Sequence, residues 1–271
     1  MSRLTDTIRA AVARGDRAFI PFLVAGHPSP ALSEQALRAL VAAGADAIEI
    51  GLPFSDSLAD GPVVQGAYHA VLATGFTVAD CLALVRRVTA DGSPPIILMT
   101  AYNLILRRGL ERFAEEAAGA GASAVLPPDL PAEEWPPLAR ALEAHGLDGI
   151  RLVAPTTPAA RLSTVLAGAT GFAYYVSRKG VTGAREALPM GLAEAVARVR
   201  AASPVPVAVG FGISTPAQAA EVGAMADGLV VGSALVQALA GAEGVAELAR
   251  RAEALRSALH GLGPVKDGNF R

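Results

Sequence analysis

The chain has 271 residues, of which 52% are hydrophobic and 18% charged. This balance supplies a large core and excludes an intrinsically disordered chain. The 23 basic and 25 acidic residues give a formal net charge of −2, and no basic stripe predicts a nucleic-acid partner. Cys81 is the single cysteine, so an internal disulfide is excluded, and its apolar neighbours predict a buried helical thiol.

The amino-terminal residues predict no targeting segment. They lack the unbroken apolar stretch of a signal peptide, and Asp6 and Asp16 argue against an acid-poor transit peptide. No apolar run reaches the length of a membrane span. We therefore expect a cytoplasmic protein without a membrane partner.

Short apolar runs alternate with helical patterns rich in Ala, Leu and Arg along the whole chain. The runs predict eight strands, at 19–24, 47–51, 95–99, 124–127, 149–153, 171–176, 205–210 and 228–232. The helical patterns that follow them cover 30–43, 78–90, 110–120, 133–144, 159–166, 191–201, 216–222 and 245–259. This alternation predicts parallel strands joined by helical crossovers.

A (β/α)8 TIM barrel and an open doubly wound sheet both fit this alternation. The segment 210–215 lacks the third glycine of a dinucleotide-binding loop, and no Walker-type phosphate loop occurs, so the barrel is preferred. The segments 44–46, 121–123 and 226–228 are interpreted as turns that cap the preceding helix. We expect one domain over residues 1–271, with a helix before the first strand.

Catalytic groups of such barrels lie at the carboxyl ends of the strands. In the second strand, alternation places Ile48 and Ile50 on the helix side and Glu49 inside the barrel. A carboxyl there is either a structural ion pair or, as we favour, an acid/base whose pKa burial raises. In the long loop that follows, Asp56 and Asp60 are nearly equal candidates for a second acid, although either could cap a turn or helix.

Two small-residue loops, at 210–214 and 232–234, predict a phosphate site at the ends of the last two strands. Ordinary tight turns are the alternative. The polar segment 177–185 is either a lid over the site or a solvated loop.

Other chemistries find little support in the residues. The four histidines, His27, His69, His145 and His260, show no metal-ligand spacing, and the last two are expected to be structural residues at helix ends. Lys179 lies in a polar loop instead of the apolar pocket that a Schiff-base lysine needs. We expect neither a metal site nor an imine-forming lysine.

Several sequence blocks follow one another in a characteristic order over nearly the whole chain. They are PFLVAG (21–26), IEIGLPFSD (48–56), ADGP (59–62), PDLP (128–131), APTTP (154–158), YVSR (175–178), GVTG (180–183) and GFGI (210–213). Together they strongly resemble the tryptophan synthase alpha subunit family. The resemblance implies retro-aldol cleavage of indole-3-glycerol phosphate to indole and glyceraldehyde 3-phosphate, without a metal or organic cofactor in this chain.

The resemblance also implies roles for individual residues. It makes Glu49 the general acid/base and selects Asp60, not Asp56, as the carboxylate that faces the indole nitrogen. The substrate-binding positions that it implies are Phe22, Asp129, Tyr174, Thr182, Gly183, Gly212, Gly232 and Ser233. The division of roles needs a protonated Glu49 beside an ionised Asp60, as expected if Glu49 is buried and Asp60 lies in a more polar setting.

A pyridoxal-phosphate β subunit that receives the indole is the partner that the resemblance implies, in an α2β2 assembly. The sequence departs from the family pattern at three places. Ser57 replaces a usual proline, His27 stands where an acidic residue is common, and 101–104 differs from a frequent Tyr-Tyr-Asn-Pro pattern. These departures leave both acids in place, and their consequences concern coupling to the partner and the detail of the pocket.

Three alternative functions share parts of this pattern. An autonomous indole-releasing lyase would use the same fold and acids without a β subunit. A non-catalytic activator of the pyridoxal-phosphate enzyme would not need Glu49 and Asp60, so their presence argues against it. A phosphosugar isomerase could use the same glycine-rich loops.

Overall fold

The computed structural model describes residues 2–57, 60–177, 188–210 and 212–265, in which parallel strands alternate with helices. The strands are β1 Ala18–Val24, β2 Ile48–Gly51, β3 Ile96–Met99, β4 Ala124–Leu126, β5 Asp148–Gly149, β6 Arg151–Val153, β7 Ala173–Val176, β8 Val207–Gly210 and β9 Gly228–Val231. The helices are α1 Arg3–Ala13, α2 Pro30–Ala42, α3 Pro62–Leu72, α4 Val78–Thr89, α5 Tyr102–Arg108, α6 Leu110–Gly119, α7 Trp135–Ala144, α8 Leu162–Leu166, α9 Leu192–Ala202, α10 Pro216–Gly223, α11 Ser233–Ala240 and α12 Gly244–Ser257.

The strands form a barrel that closes at one short seam. Their order is β5-β4-β3-β2-β1-β9-β8-β7-β6, and β5 and β6, at its two ends, are separated in the chain by Ile150 alone. The Ile150 amide still bonds to the Val125 carbonyl on one side, at 3.1 Å, whereas Arg151 pairs with Ala173 on the other. β5 and β6 are therefore two halves of one barrel strand, and the predicted (β/α)8 barrel is confirmed.

The strand predicted over 149–153 is present but is interrupted at Ile150, because its hydrogen bonds to β4 end there and those to β7 begin. The Gly149 amide donates to the Thr170 hydroxyl at 2.8 Å, so a side chain takes the place of a neighbouring strand at that point. The other predicted strands agree with the structure to within about two residues. Predicted helices 133–144 and 159–166 each begin with a 3-10 turn, Ala132–Glu134 and Ala159–Arg161.

The predicted helix-capping turns differ in geometry. Gly44 and Gly121 follow α2 and α6 with φ of 83° and 88°, a left-handed conformation that favours glycine. At 226–228 no such glycine follows α10, but the Ala226 amide donates to the Val222 carbonyl in its last turn, at 3.1 Å. The Asp227 carboxylate also accepts a hydrogen bond from the Val207 amide, at 2.8 Å, and so joins the start of β9 to the start of β8.

Helices outside the main repeat complete the fold. The expected first helix, α1, packs fully buried Leu4 and Ile8 against the amino end of the barrel. The predicted pattern has no counterpart for α3, α5 and α11, which lie within connections that follow β2, β3 and β9. Cys81 is fully buried in α4, where burial raises the pKa of its thiol to about 12, so the prediction of a buried thiol is confirmed.

The amino edge of the barrel carries a network of paired acids. The Asp46 carboxylate accepts from the Phe19 amide at 2.8 Å and forms an ion pair with Arg256 at 3.1 Å. The Asp16 carboxylate accepts from the Gly261 amide at 3.0 Å. His260, expected at a helix end, lies instead in the turn after α12, where its Nδ1 is 3.2 Å from Asp16. Among the described residues, no helix is long and apolar enough to cross a membrane.

Candidate active site

Glu49 lies inside the barrel, as the alternation of β2 predicts. It is level with Phe22 on β1 and Ile97 on β3, and its side chain is 1% exposed. Its Oε2 atom has no hydrogen-bond partner among the described residues. Burial, with a smaller contribution from repulsion by Asp60, raises the pKa of Glu49 to about 8.

Asp60 lies at the end of the β2–α3 connection and is 6% exposed. It does not cap α3, since Gly61 is the N-cap residue and no side chain bonds there. Burial raises the pKa of Asp60 to about 6. Asp60 was expected to lie in a more polar setting than Glu49. It is also desolvated, but less than Glu49, and its pKa stays below that of Glu49.

Asp56, the competing acid, has a different environment. Its side chain is exposed, and its Oδ2 accepts from the Ser55 hydroxyl at 2.6 Å. This is the local turn contact that the sequence offered as the simpler alternative. Burial beside Glu49 thus distinguishes Asp60 from Asp56.

Two cavities meet at Asp60. An inner cavity is lined by Phe22, Glu49, Asp60, Val64, Met99, Tyr174, Gly212, Ile213, Val230, Gly232 and Ser233. An outer cavity of about 270 Å³ is lined by Leu52, Phe54, Asp56, Ser57, Asp60, Tyr68, Met99, Thr100, Ala101, Pro128 and Asp129. Because Asp60 and Met99 line both cavities, an extended ligand can run from the barrel centre past Asp60 to the rim.

The loops after β8 and β9 form the far end of the inner cavity. Gly212 has a φ of 78°, and Gly232 is the N-cap of α11 without a side-chain cap, so first-turn amides of that helix are left for a ligand. Gln218, buried on α10, accepts from the Ser214 amide at 2.9 Å and fixes the first of these loops. The arrangement is suited to bind an anion.

Comparisons with known proteins agree with this geometry. The sequence model described as tryptophan synthase alpha chain matches residues 8–261. A tryptophan synthase alpha chain of Gloeobacter violaceus is 47% identical over 268 residues, 97% of each chain. That of Citrifermentans bemidjiense is 48% identical over 237 residues, 88% of this chain and 89% of its own. The chain belongs to the tryptophan synthase alpha chain family.

A solved structure extends the similarity to three dimensions. Mycobacterium tuberculosis tryptophan synthase includes a chain that superposes with a TM-score of 0.89 at 39% identity, covering 95% of this chain and 98% of the other. The family membership predicted from the sequence is confirmed. Of the alternatives, a phosphosugar isomerase is thereby set aside.

The structure brings most of the predicted site residues of this family together. Phe22, Tyr174, Gly212, Gly232 and Ser233 line the inner cavity with both acids, whereas Asp129 lines the outer one. Asp129 has a second task, because its Oδ1 accepts from the Tyr102 amide at 2.8 Å and caps α5. Thr182 and Gly183 lie outside the described residues, as does most of the segment 177–185 that was considered as a lid.

Two glycines make room for aromatic side chains of the site. A Cβ on Gly51 would lie 2.7 Å from the Phe22 ring, and one on Gly210 would lie 2.6 Å from Cζ of Tyr174. Both distances are shorter than real Cβ contacts, so the aromatic rings depend on glycine at the two strand ends.

Sequence reasoning missed three residues that shape the site: Tyr68, Met99 and Gln218. Tyr68 is buried on α3 and lines the outer cavity, and the carboxyls of Asp60 and Glu49 add to burial in raising its pKa. The Gly61-Pro62 pair was the available signal for α3, because proline is favoured at the first position of a helix. The capping box of Thr215 and Gln218 was a comparable signal for the role of Gln218 at the start of α10, a helix that the sequence did predict.

The departures from the family pattern are accommodated locally. The Ser57 carbonyl accepts from the Asp60 amide at 3.1 Å and from Gln65 Nε2 at 3.0 Å, which ties the loop to α3 without a proline. His27 is half-buried, and burial lowers its pKa. Ala101 is the N-cap of α5, whose first amide is capped by Asp129 instead.

Proposed function

We propose that Glu49 and Asp60 catalyse the lyase reaction of this family, the cleavage of indole-3-glycerol phosphate to indole and glyceraldehyde 3-phosphate. The phosphate is bound by the loops that contain Gly212, Gly232 and Ser233, and the indole ring lies toward Asp60. The glycerol chain then passes Glu49. The shared lining of the two cavities supports this placement, because it offers an anion site and an apolar site on opposite sides of the carboxyls.

The reaction needs a proton donor and a fixed negative charge. Glu49, protonated, gives its proton to C3 of the indole ring, and positive charge develops on the ring nitrogen. The Asp60 carboxylate stabilises that charge. The bond between C3 and the glycerol chain then breaks, its electrons return to the ring, and the Glu49 carboxylate takes the hydroxyl proton as the aldehyde forms. Glu49 ends protonated, ready for the next cycle.

The observation that carries this proposal is that two buried carboxyls, Glu49 and Asp60, line one cavity, and that burial raises the pKa of Glu49 further than that of Asp60. With a pKa of about 8, Glu49 is mostly protonated at neutral pH, whereas Asp60, at about 6, is mostly ionised. Two buried carboxyls in one cavity with opposite protonation states are the arrangement that acid/base chemistry with a charged intermediate requires.

The decisive measurement is indole release from indole-3-glycerol phosphate by the purified chain, with Asp60→Asn and Asp56→Asn compared. We expect Asp60→Asn to lower kcat/KM by at least about 100-fold, because the amide cannot balance charge on the indole nitrogen. Asp56→Asn serves as the matched control and should stay within about threefold, since Asp56 lines the outer cavity with an exposed carboxylate that is bonded to the Ser55 hydroxyl. Equal effects of the two variants would remove the assignment of Asp60.

Partners and location complete the proposal. The chain is expected to work without a metal or organic cofactor of its own, in the cytoplasm, with a pyridoxal-phosphate β subunit in an α2β2 assembly. The relatives named as tryptophan synthase alpha chains support the partner. Indole release measured with and without an added β subunit separates this arrangement from an autonomous lyase, because only a partnered chain is accelerated by the β subunit.

A further inference from the structure

Arg151 is a buried arginine outside the proposed active site. On β6, Leu152 pairs with Tyr174, so strand alternation directs the Arg151 side chain outward, toward the helices. The residue is 5% exposed, and its guanidinium carbon lies 3.6 Å from the centroid of the Trp135 ring. This distance is that of a cation–π contact with the first residue of α7.

The hydrogen bonds of this guanidinium are incomplete. Nη2 donates to the Ala167 carbonyl at 3.0 Å, but Nε and Nη1 are buried without a partner among the described residues. Burial lowers the pKa of Arg151 to about 10, with no carboxylate of the described residues acting against it. The group is therefore charged at neutral pH, and a buried charge normally requires an acceptor or a counter-ion.

A cavity of about 310 Å³ adjoins the guanidinium, between the segments that follow β4 and β6. Its wall combines Trp135, Leu130 and Val165 with the threonines Thr156 and Thr157, and contains no acidic residue among those described. Arg161 also lines it, but that side chain is half exposed and already paired with Glu133 at 2.7 Å. Positive charge therefore faces a space without carboxylates, whose wall mixes polar groups with the apolar side chains of Trp135, Leu130 and Val165.

A second cavity, on the other side of the Arg151–Trp135 pair, provides a contrast. It has a volume of about 540 Å³ and shares these two residues, but Glu143 and Asp148 also line it. Carboxylates there disfavour an anion by like-charge repulsion. The acid-free cavity is therefore the one that suits a negatively charged ligand.

We infer that the acid-free cavity binds a small organic carboxylate, with the carboxylate on Arg151 and the apolar body against Trp135, Leu130 and Val165. Nε and Nη1, which are buried in this structure, donate charge-assisted hydrogen bonds to the carboxylate after a shift of the Arg151 side chain toward the cavity. A phosphate is a poorer occupant, because it has no apolar body to pack against Trp135, Leu130 and Val165. The site is separate from Glu49 and Asp60, so it does not rest on the proposed function.

Trp135 offers a direct measurement, since it is the only tryptophan of the chain. We would titrate the protein with cyclohexanecarboxylate and follow Trp135 fluorescence, with cyclohexanecarboxamide as the neutral control of the same shape and inorganic phosphate as a second anion. The expected result is a saturable change and a rise in Tm with the carboxylate. The amide and phosphate should bind at least about 10-fold more weakly, because each lacks either the charge or the apolar body.

Two variants localise the effect. Arg151→Met should weaken carboxylate binding by at least about 10-fold, whereas Arg161→Gln, the matched arginine of the same cavity, should stay within about threefold. Unchanged binding by Arg151→Met overturns the inference. If that variant does not fold, the wild-type titrations decide alone, because an equal response to the amide, or no response to the carboxylate, also overturns it.

Discussion

Two carboxyls on either side of the start of β2 have opposite environments. Asp46, just before β2, bonds to the Phe19 amide and to Arg256, whereas Glu49, within β2, has no partner for its Oε2 among the described residues. Burial raises the pKa of both, but at Asp46 the amide and the arginines oppose it. At Glu49 nothing among the described residues opposes it, and Asp60 adds to it.

The paired carboxylate of Asp46 stabilises the fold, whereas the carboxyl of Glu49 is available for proton transfer. At the amino edge of the barrel, partners fix the charge of a carboxylate and join neighbouring strands. At the carboxyl edge, the missing partner leaves the proton of Glu49 free to move, at a cost in folding free energy. The following predictions test that division, beginning with the largest expected effect.

Replacing Asp46 should show the structural role of the amino edge. Asp46→Ala leaves the Phe19 amide without its acceptor and the Arg256 guanidinium without its counter-ion, so we expect the free energy of unfolding to fall by about 3 kcal/mol. Denaturant unfolding measures it. Glu133→Ala, which removes the half-exposed pair with Arg161, is the control and should cost at most about 1 kcal/mol. Similar losses in both variants would contradict a special role for Asp46.

Replacing Glu49 should show the reverse pattern. Glu49→Gln should lower kcat for indole release at least about 100-fold, or about 2.7 kcal/mol in activation free energy, because the amide cannot deliver the proton. Substrate should still bind, and the variant should remain folded. Steady-state kinetics and substrate binding measure the two effects separately. Near-normal turnover would sink the proposed mechanism.

The pH dependence of stability should single out Glu49. Its folded pKa of about 8 exceeds the unfolded value of 4.5, so the folded state holds the proton more tightly. The stabilising effect is complete below the unfolded value and is lost as pH rises through the folded one. Relative to Glu49→Gln, the wild type should lose about 1.4 kcal/mol per pH unit within that interval. A difference that does not change with pH would show that Glu49 ionises normally.

Asp16 should give the smallest effect, with the opposite sign. The Gly261 amide, followed by the smaller effect of His260, holds the pKa of Asp16 below its usual value of 3.8. This contribution is present above 3.8 and is lost as pH falls through the lower folded value. At neutral pH, Asp16→Asn should cost about 1 kcal/mol in unfolding free energy, and this cost should shrink in acid. A cost that grows in acid would contradict the pairing.

The fold was predictable because its signals are local. Apolar runs that end near glycine or proline predict the strands, and alternation alone places Glu49 inside the barrel. The change of partner at Ile150 was not predictable from local sequence. It depends on the Thr170 hydroxyl, which accepts from the Gly149 amide although the two residues are 21 positions apart in the chain. Secondary-structure propensity also gives no sign that Asp129, in the segment after β4, caps α5, which follows β3.

The site was predictable only in part for the same reason. Asp60 and Asp56 are indistinguishable by spacing, and the difference arises when the connection folds back and Gln65 bonds to the Ser57 carbonyl. Arg151 gave no signal at all, since it lies in a run that reads as an ordinary strand. The roles of Glu49, Asp60 and the phosphate-binding glycines stay predictions until the variants are measured.

The seam at Ile150 divides the proposed site between two halves of the chain. Residues before it carry Glu49 and Asp60, and residues after it carry Tyr174, Gly212 and Gly232. A substrate that contacts both groups of residues would hold the two halves of the barrel together, although it does not contact β5 or β6. Ligand binding should therefore slow amide exchange at Ile150, whose amide bonds to the Val125 carbonyl on β4, because opening of the barrel at that bond would separate the two groups of residues that hold the ligand.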